Sequence, residues 1–209
     1  MVDFPEITPA LAEVIGLNVG DGCVYRCVSG TNRSYQVAFT ASPKESWYYD
    51  SFVKPTIDSA FSVNGHLYLR SDNTTRLHVY SKRFVEFMAW IGLPVGKKYD
   101  VSIPEVILRR GLVVPFIRGL YHAEGSIYRR YSKMYNTHAK VYSNLLVIQI
   151  RMKLKTLMIQ VREEVVKLGI VLNRLTEKDG VYTLRITSQA EIQRFLAIIQ
   201  PRYKLLPLR

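Results

Sequence analysis

Residues 16–26 read GLNVGDGCVYR, and residues 119–129 read GLYHAEGSIYR. The segments are 103 residues apart, and five of eleven positions are identical: Gly, Leu, Gly, Tyr and Arg. Asp21/Glu124, Gly20/Ala123 and Val24/Ile127 are conservative pairs. A second match lies downstream, where Leu77-His-Val-Tyr-Ser81 is similar to Leu184-Arg-Ile-Thr-Ser188. Each is followed by a helical pattern with a Phe at a similar place, Phe87 and Phe195. Two matched segments in the same order mark a duplicated unit.

Both copies are expected to contain the same series of elements. In the first, Thr8 is a natural N-cap, Pro9 suits the first helical position and Gly22 closes the helix. A strand pair near 23–29 and 34–40 and a helix over about 45–60 follow. In HLYLRSDNTTRLHVYS (66–81), Leu67, Leu69, Leu77 and Val79 alternate with His66, Tyr68, Arg70, Arg76, His78 and Tyr80. This alternation predicts two strands joined by a turn at Asp72-Asn73. A helix from about 82 to 91 stops at Gly92. The second copy predicts a helix over 115–124 and strands near 126–132 and 144–152. A helix over 155–168, a hairpin turning at Asp179-Gly180 and a helix over 189–199 complete it.

The expected fold class is therefore α+β: two αββαββα units, each with a four-stranded antiparallel sheet. The boundaries fall at 1–98 for the first repeat, 99–113 for a linker with a short helix, and 114–209 for the second repeat. One face of each sheet is covered by helices; the other meets water or a ligand.

Charge narrows the choice of ligand. Lys and Arg number 29 against 17 Asp and Glu, a net charge of +12, and the basic residues are interleaved with 14 tyrosines along the chain. An excess of this size is self-repelling unless a polyanion neutralises it, and nucleic acid is the usual partner. An anionic membrane or a ribosome would also satisfy the charge alone. No apolar stretch is long enough to span a bilayer, and the opening MVDFPEITPA lacks a signal-peptide pattern, so an intracellular protein is expected. Cys23 and Cys27 read as free thiols; a zinc site would need more Cys or His at short spacing.

The nonapeptides VIGLNVGDG (14–22) and IRGLYHAEG (117–125) resemble the paired signature of LAGLIDADG homing endonucleases, the second more closely. Two signatures in one chain are similar to the single-chain, monomeric branch of that family. The resemblance covers nearly the whole sequence. It implies two pseudo-two-fold related units, signature helices packed at the centre, and sheets forming a DNA-binding saddle. The implied activity is that of a metal-dependent endodeoxyribonuclease, cutting a long double-stranded DNA site to leave short 3′ overhangs. Mg²⁺ or another divalent cation such as Mn²⁺ is the implied cofactor, with Ca²⁺ expected to bind without supporting cleavage.

Physical chemistry supports the motif independently. Gly16 and Gly20, like Gly119 and Ala123, lie at i, i+4 on one helix face, where small residues allow close backbone approach. The helices then end in Asp21 and Glu124, acids at the wrong end of the helix dipole. Clustered carboxylate oxygens favour hard cations such as Mg²⁺. By resemblance, Asp21 and Glu124 are the metal ligands, helped by the carbonyls of Gly20 and Ala123. A cationic or polar residue near the end of each copy's second strand assists the metal centre in this family. Lys153 fits that place; Lys44, displaced by Pro43, is the substitute in the first copy, where the usual Gln-or-Lys pattern is absent. His122, inside the second motif, reads as a packing residue.

Strand alternation sets the outward face. It holds Tyr25, Gln36, Arg70, Arg76 and His78 in the first copy, and Tyr128, Arg130, Gln149, Arg151 and Arg185 in the second. These residues are suited to base edges and phosphates. The alternative on the same scaffold is a non-cleaving binder, either an intron RNA maturase or a transcription regulator. A structural ribosome-associated protein would explain the charge but not the duplicated acids.

Overall fold

The computed structural model describes residues 3–29, 32–130, 133–134, 139–140 and 145–204. Thr8 starts the first helix. Its hydroxyl accepts from the Leu11 amide at 3.2 Å, Pro9 takes the first helical position, and α1 runs Pro9–Asp21. Every residue from Leu11 to Val19 is buried, so this helix has no solvent face. It stops at Gly22 as expected, for a different reason. Gly22 is extended (φ −95°, ψ 162°) and does not use left-handed backbone. What the site requires is the missing side chain: a Cβ would lie 2.0 Å from Asn18 Nδ2 and 2.7 Å from the Asn18 Cα.

The chain divides into two compact units, Met1–Ala123 and Glu124–Arg209. The first contains strands β1 (Gly22–Ser29), β2 (Asn32–Ala41), β3 (His66–Leu69) and β4 (Thr75–Tyr80). They form an antiparallel sheet in the order β1-β2-β4-β3. A 3₁₀ turn (Pro43–Glu45), α2 (Ser46–Tyr48), a π-helical turn (Tyr49–Val53) and α3 (Lys54–Phe61) cross from β2 to β3. Helices α4 (Lys82–Trp90) and α5 (Glu105–Arg109) follow. Val24, Val37, Phe39, Leu77 and Val79 line the covered side of the sheet and are all buried. Phe61 packs there against Phe84, tilted, and Phe87, edge-on, with ring centres 4.4 and 5.2 Å away. Leu69, predicted to face inward with Leu77, is instead 62% exposed at the end of the edge strand β3. The Asp72-Asn73 turn forms as expected: Asp72 Oδ1 accepts from the Thr74 amide at 3.2 Å, and Asn73 is left-handed at φ 58°.

Helix α6 (Val113–Glu124) opens the second copy by sequence, but up to Ala123 it belongs to the first compact unit, where it packs on α1.

In the second unit, β5 (Gly125–Arg129), β8 (Leu146–Met152), β9 (Thr176–Lys178) and β10 (Val181–Ile186) pair in the order β5-β8-β10-β9. The ladder of the first sheet is repeated strand for strand. A two-stranded hairpin, β6 (Lys133–Met134) with β7 (Ala139–Lys140), is inserted between β5 and β8. Residues 131, 132 and 144, assigned to strands by the sequence, lie outside the described residues. Helix α7 (Lys155–Lys167) packs on β10, and α8 (Gln189–Ile199) on β8. Ile148, Ile150, Leu184 and Ile186 on the strands and Met158, Val161 and Phe195 on the helices are buried in this core. Asp179 and Gly180 have φ 54° and 71° between the paired Lys178 and Val181, giving a two-residue turn that matches strand twist. No helix among the described residues is long and apolar enough to cross a membrane, and both cysteines are free thiols.

Candidate nucleic-acid interface and metal-binding acids

The two signature helices touch at their glycines. A Cβ on Gly16 would sit 2.0 Å from the Phe116 carbonyl oxygen and 3.1 Å from the Leu120 nitrogen. A Cβ on Gly119 would sit 1.8 Å from the Glu13 carbonyl oxygen and 2.7 Å from the Leu17 nitrogen. Each contact maps onto the other by the repeat offset of 103 (119 − 16, 116 − 13, 120 − 17). The duplication in the sequence is therefore a symmetry of the helix crossing. Asp21 closes α1 and Glu124 closes α6, each five residues beyond its crossing glycine (21 − 16, 124 − 119) and each half-buried.

Gly20 and Ala123, one residue before these acids, are half-buried as well. Among the described residues no three or more His, Cys, Asp or Glu gather as a metal cage. An acid or two with backbone oxygens suits a hard, partly hydrated cation whose remaining ligands come from substrate phosphate, and the donor set fits Mg²⁺ in that manner.

One cation at this helix end was not visible in the sequence. Lys98 Nζ donates to the carbonyls of Asn18 (2.6 Å), Val19 (2.8 Å) and Gly22 (2.6 Å). Its ammonium thus gathers carbonyls around the C-terminal end of α1, that of Asn18 also accepting from the Gly22 amide, and its charge opposes the negative end of the helix dipole. Lys98→Met should cost about 1–2 kcal/mol and lower Tm by roughly 2–8 °C. Thermal melting checks this; an unchanged Tm would show that water replaces the ammonium.

Within the crossing lies a buried polar cluster. Glu13 and His122 are wholly buried. Tyr48 donates its hydroxyl to Glu13 Oε1 at 2.9 Å, Arg118 Nη1 donates to Oε2 at 3.2 Å, and His122 Nδ1 stands 3.5 Å from Oε1. The His122 ring also packs edge-on against Tyr48, with centres 4.8 Å apart. A carboxylate taken out of water needs this company, and His122 has the packing place expected of it.

The outer sheet faces carry the remaining residues. In the first unit Tyr25 pairs with Gln36 and Gln36 with Tyr80 across the strands, and Ala38 pairs with His78. Tyr25 is 46% exposed. Arg70 sits in the hairpin turn, with Nε 3.5 Å from Asp72 Oδ2. Arg76 is half-buried, and its Nε has no hydrogen-bond partner among the described residues. In the second unit Ser126, Gln149 and Arg185 form one row, and Arg151 lies opposite Thr183. Tyr128 donates to Gln149 Oε1 at 3.4 Å, and Arg130 follows β5 on the exposed side. Lys153 is exposed just past β8; Lys44 is exposed in the 3₁₀ turn capped by Ser42.

Residues 112–200 match the LAGLIDADG-like domain. No curated protein matches the chain by sequence. Among solved structures, the chain is similar to the homing endonuclease I-DmoI in complex with DNA and Mn. The TM-score is 0.63 at 22% identity, covering 93% of this chain and 98% of that one. It is similar also to mesophilic variants of I-DmoI (TM-score 0.64, 21% identity, 91% and 95% covered). A third likeness is the LAGLIDADG meganuclease I-AabMI bound to uncleaved DNA (TM-score 0.63, 13% identity, 96% and 85% covered). At these identities the likeness is one of fold.

Proposed function

We propose that this chain, which carries a LAGLIDADG-like domain at residues 112–200 and the fold of single-chain LAGLIDADG meganucleases, is a site-specific homing endonuclease that hydrolyses double-stranded DNA. The observation that carries this reading is the symmetric helix crossing: Gly16 and Gly119 meet the partner backbone in matched ways, and each helix then ends in an acid. A structural helix pair has no use for a carboxylate at two equivalent C-termini, where the dipole disfavours it. Cations relieve that cost.

Asp21 and Glu124 hold divalent metal, with the carbonyls of Gly20 and Ala123 alongside. Bound metal would supply the attacking hydroxide and stabilise the leaving 3′ oxygen. Lys153, exposed just past β8, and Lys44, exposed in the 3₁₀ turn after β2, would supply ammonium charge to the developing phosphorane. The boundaries 1–98, 99–113 and 114–209, a monomer acting inside the cell, an intron-borne gene and short 3′ overhangs belong to the same reading. Relatives in fold have been solved with DNA and Mn, with DNA in the presence of Mg, and with DNA and Ca, which supports a divalent cation; Mg²⁺ or Mn²⁺ as cofactor, with Ca²⁺ binding without cleavage, belongs to the same reading.

The test is incubation with DNA spanning the host gene's insertion site, joined as if empty, in Mg²⁺, Ca²⁺ or EDTA. Linearisation in Mg²⁺ alone is expected. Specific binding without cutting in any metal would identify a non-cleaving binder, such as a maturase with intron RNA as a further partner.

A further inference from the structure

The outer faces of the two sheets are built from different chemistry. On the first, rings dominate. Tyr68 and His78 meet edge to face with centres 5.4 Å apart, and His66 and His78 each stand within 6.3 Å of the Tyr80 ring. Tyr25, Tyr68 and Tyr80 are 46%, 43% and 59% exposed, and the positions beside them are Cys23 and Ala38. Burial, then Arg76, Arg70 and His66 in turn, hold the His78 imidazole below its usual range. Of the polar side chains on this face, Gln36 lies between Tyr25 and Tyr80, Arg70 faces Asp72 across the turn, and Arg76 is half-buried with its Nε unpartnered among the described residues.

On the second sheet, forks and amides dominate. Arg185 lies beside Gln149 in one row, and Arg151 is exposed in the next. Gln149 Oε1 is oriented by the Tyr128 hydroxyl, and Arg185 Nη1 is steadied by Thr176 Oγ1 at 3.4 Å. A held fork or amide is what bidentate recognition of a purine edge requires: Arg to guanine O6 and N7, Gln to adenine N6 and N7. Rings and small apolar groups instead make contact with thymine methyls, which discriminates weakly.

We infer that the target is chemically asymmetric: Gln149, Arg151 and Arg185 read purines strictly in the part of the site that meets the second sheet, whereas Tyr68, His78 and Tyr80 meet a tolerant, thymine-leaning part. This inference rests on the proposed function, and on each sheet meeting DNA with its outer face.

The test is selection of binders from a random duplex pool by the full chain in Ca²⁺, followed by sequencing. Strict purine positions are expected in one half of the enriched site and shallow thymine preference in the other. Arg151→Ala and Gln149→Ala should each erase one strict position, with about tenfold or greater loss on the parent site. Tyr80→Leu should change only the shallow half. Equal strictness in both halves would overturn the inference. So would an even, salt-dependent loss on every sequence with Arg151→Ala, which would make that residue a phosphate contact. A pool with no enriched sequence would overturn the function reading itself, and this inference with it.

Discussion

If the chain is the nuclease proposed above, Asp21→Asn and Glu124→Gln should each abolish double-strand cleavage while the protein still binds its DNA site. Both substitutions keep size and hydrogen-bonding capacity and remove one negative charge at a helix C-terminus. The helix end itself should gain slightly, since the dipole there disfavours an anion. What should be lost is affinity for divalent cation and the several kcal/mol that a bound metal would contribute to the transition state, about three orders of magnitude or more in rate. Gel assays of cleavage in Mg²⁺, paired with binding in Ca²⁺, read the two effects separately. Unchanged cutting by both variants would remove these acids from the mechanism. Loss of binding together with cutting would instead point to a failure of folding.

Gly119→Ala and Gly16→Ala should both be strongly destabilising. The new Cβ would lie 1.8 Å from the Glu13 carbonyl oxygen in one case and 2.0 Å from the Phe116 carbonyl oxygen in the other. Both obstacles are helical backbone, which cannot rotate away as a side-chain tip would. The helices must separate, and the Glu13, Arg118 and His122 cluster at the crossing is strained with them. The expected cost is about 3 kcal/mol or more, equivalent to roughly 6–12 °C in Tm at this chain length. Gly169→Ala is the control. Gly169 has φ 79° with nothing within 4 Å of its added Cβ, so only backbone strain of about 1–2 kcal/mol is expected. A Tm series in which Gly169→Ala falls further than Gly119→Ala would show that the helices yield easily.

Much of this fold was legible from residues that act on their immediate neighbours. Thr8 and Pro9 mark the start of α1 because capping is settled within one turn. Asp179-Gly180 marks a hairpin because only certain residues accept left-handed backbone, and both positions adopt it. The alternation from His66 to Tyr80 assigns faces because strand side chains repeat every two residues; Leu77 and Val79 are buried accordingly. Leu69 breaks the rule because alternation says which side a residue takes and not whether the opposite layer reaches it.

The repeat itself, its offset and its two acids were present in the string of letters. So were the small residues that permit a close crossing, since sterics at i, i+4 belong to a single helix. The tertiary structure alone decided the rest. Lys98 clamps the end of α1 from up to 80 residues away, and Arg118 reaches Glu13 across 105. Gly22 is required because the Asn18 side chain fills its space. The asymmetry between the ringed sheet and the guanidinium sheet depends on which strands lie side by side. Contacts of this kind leave no period in the sequence, because their partners are brought together by packing and not by spacing along the chain.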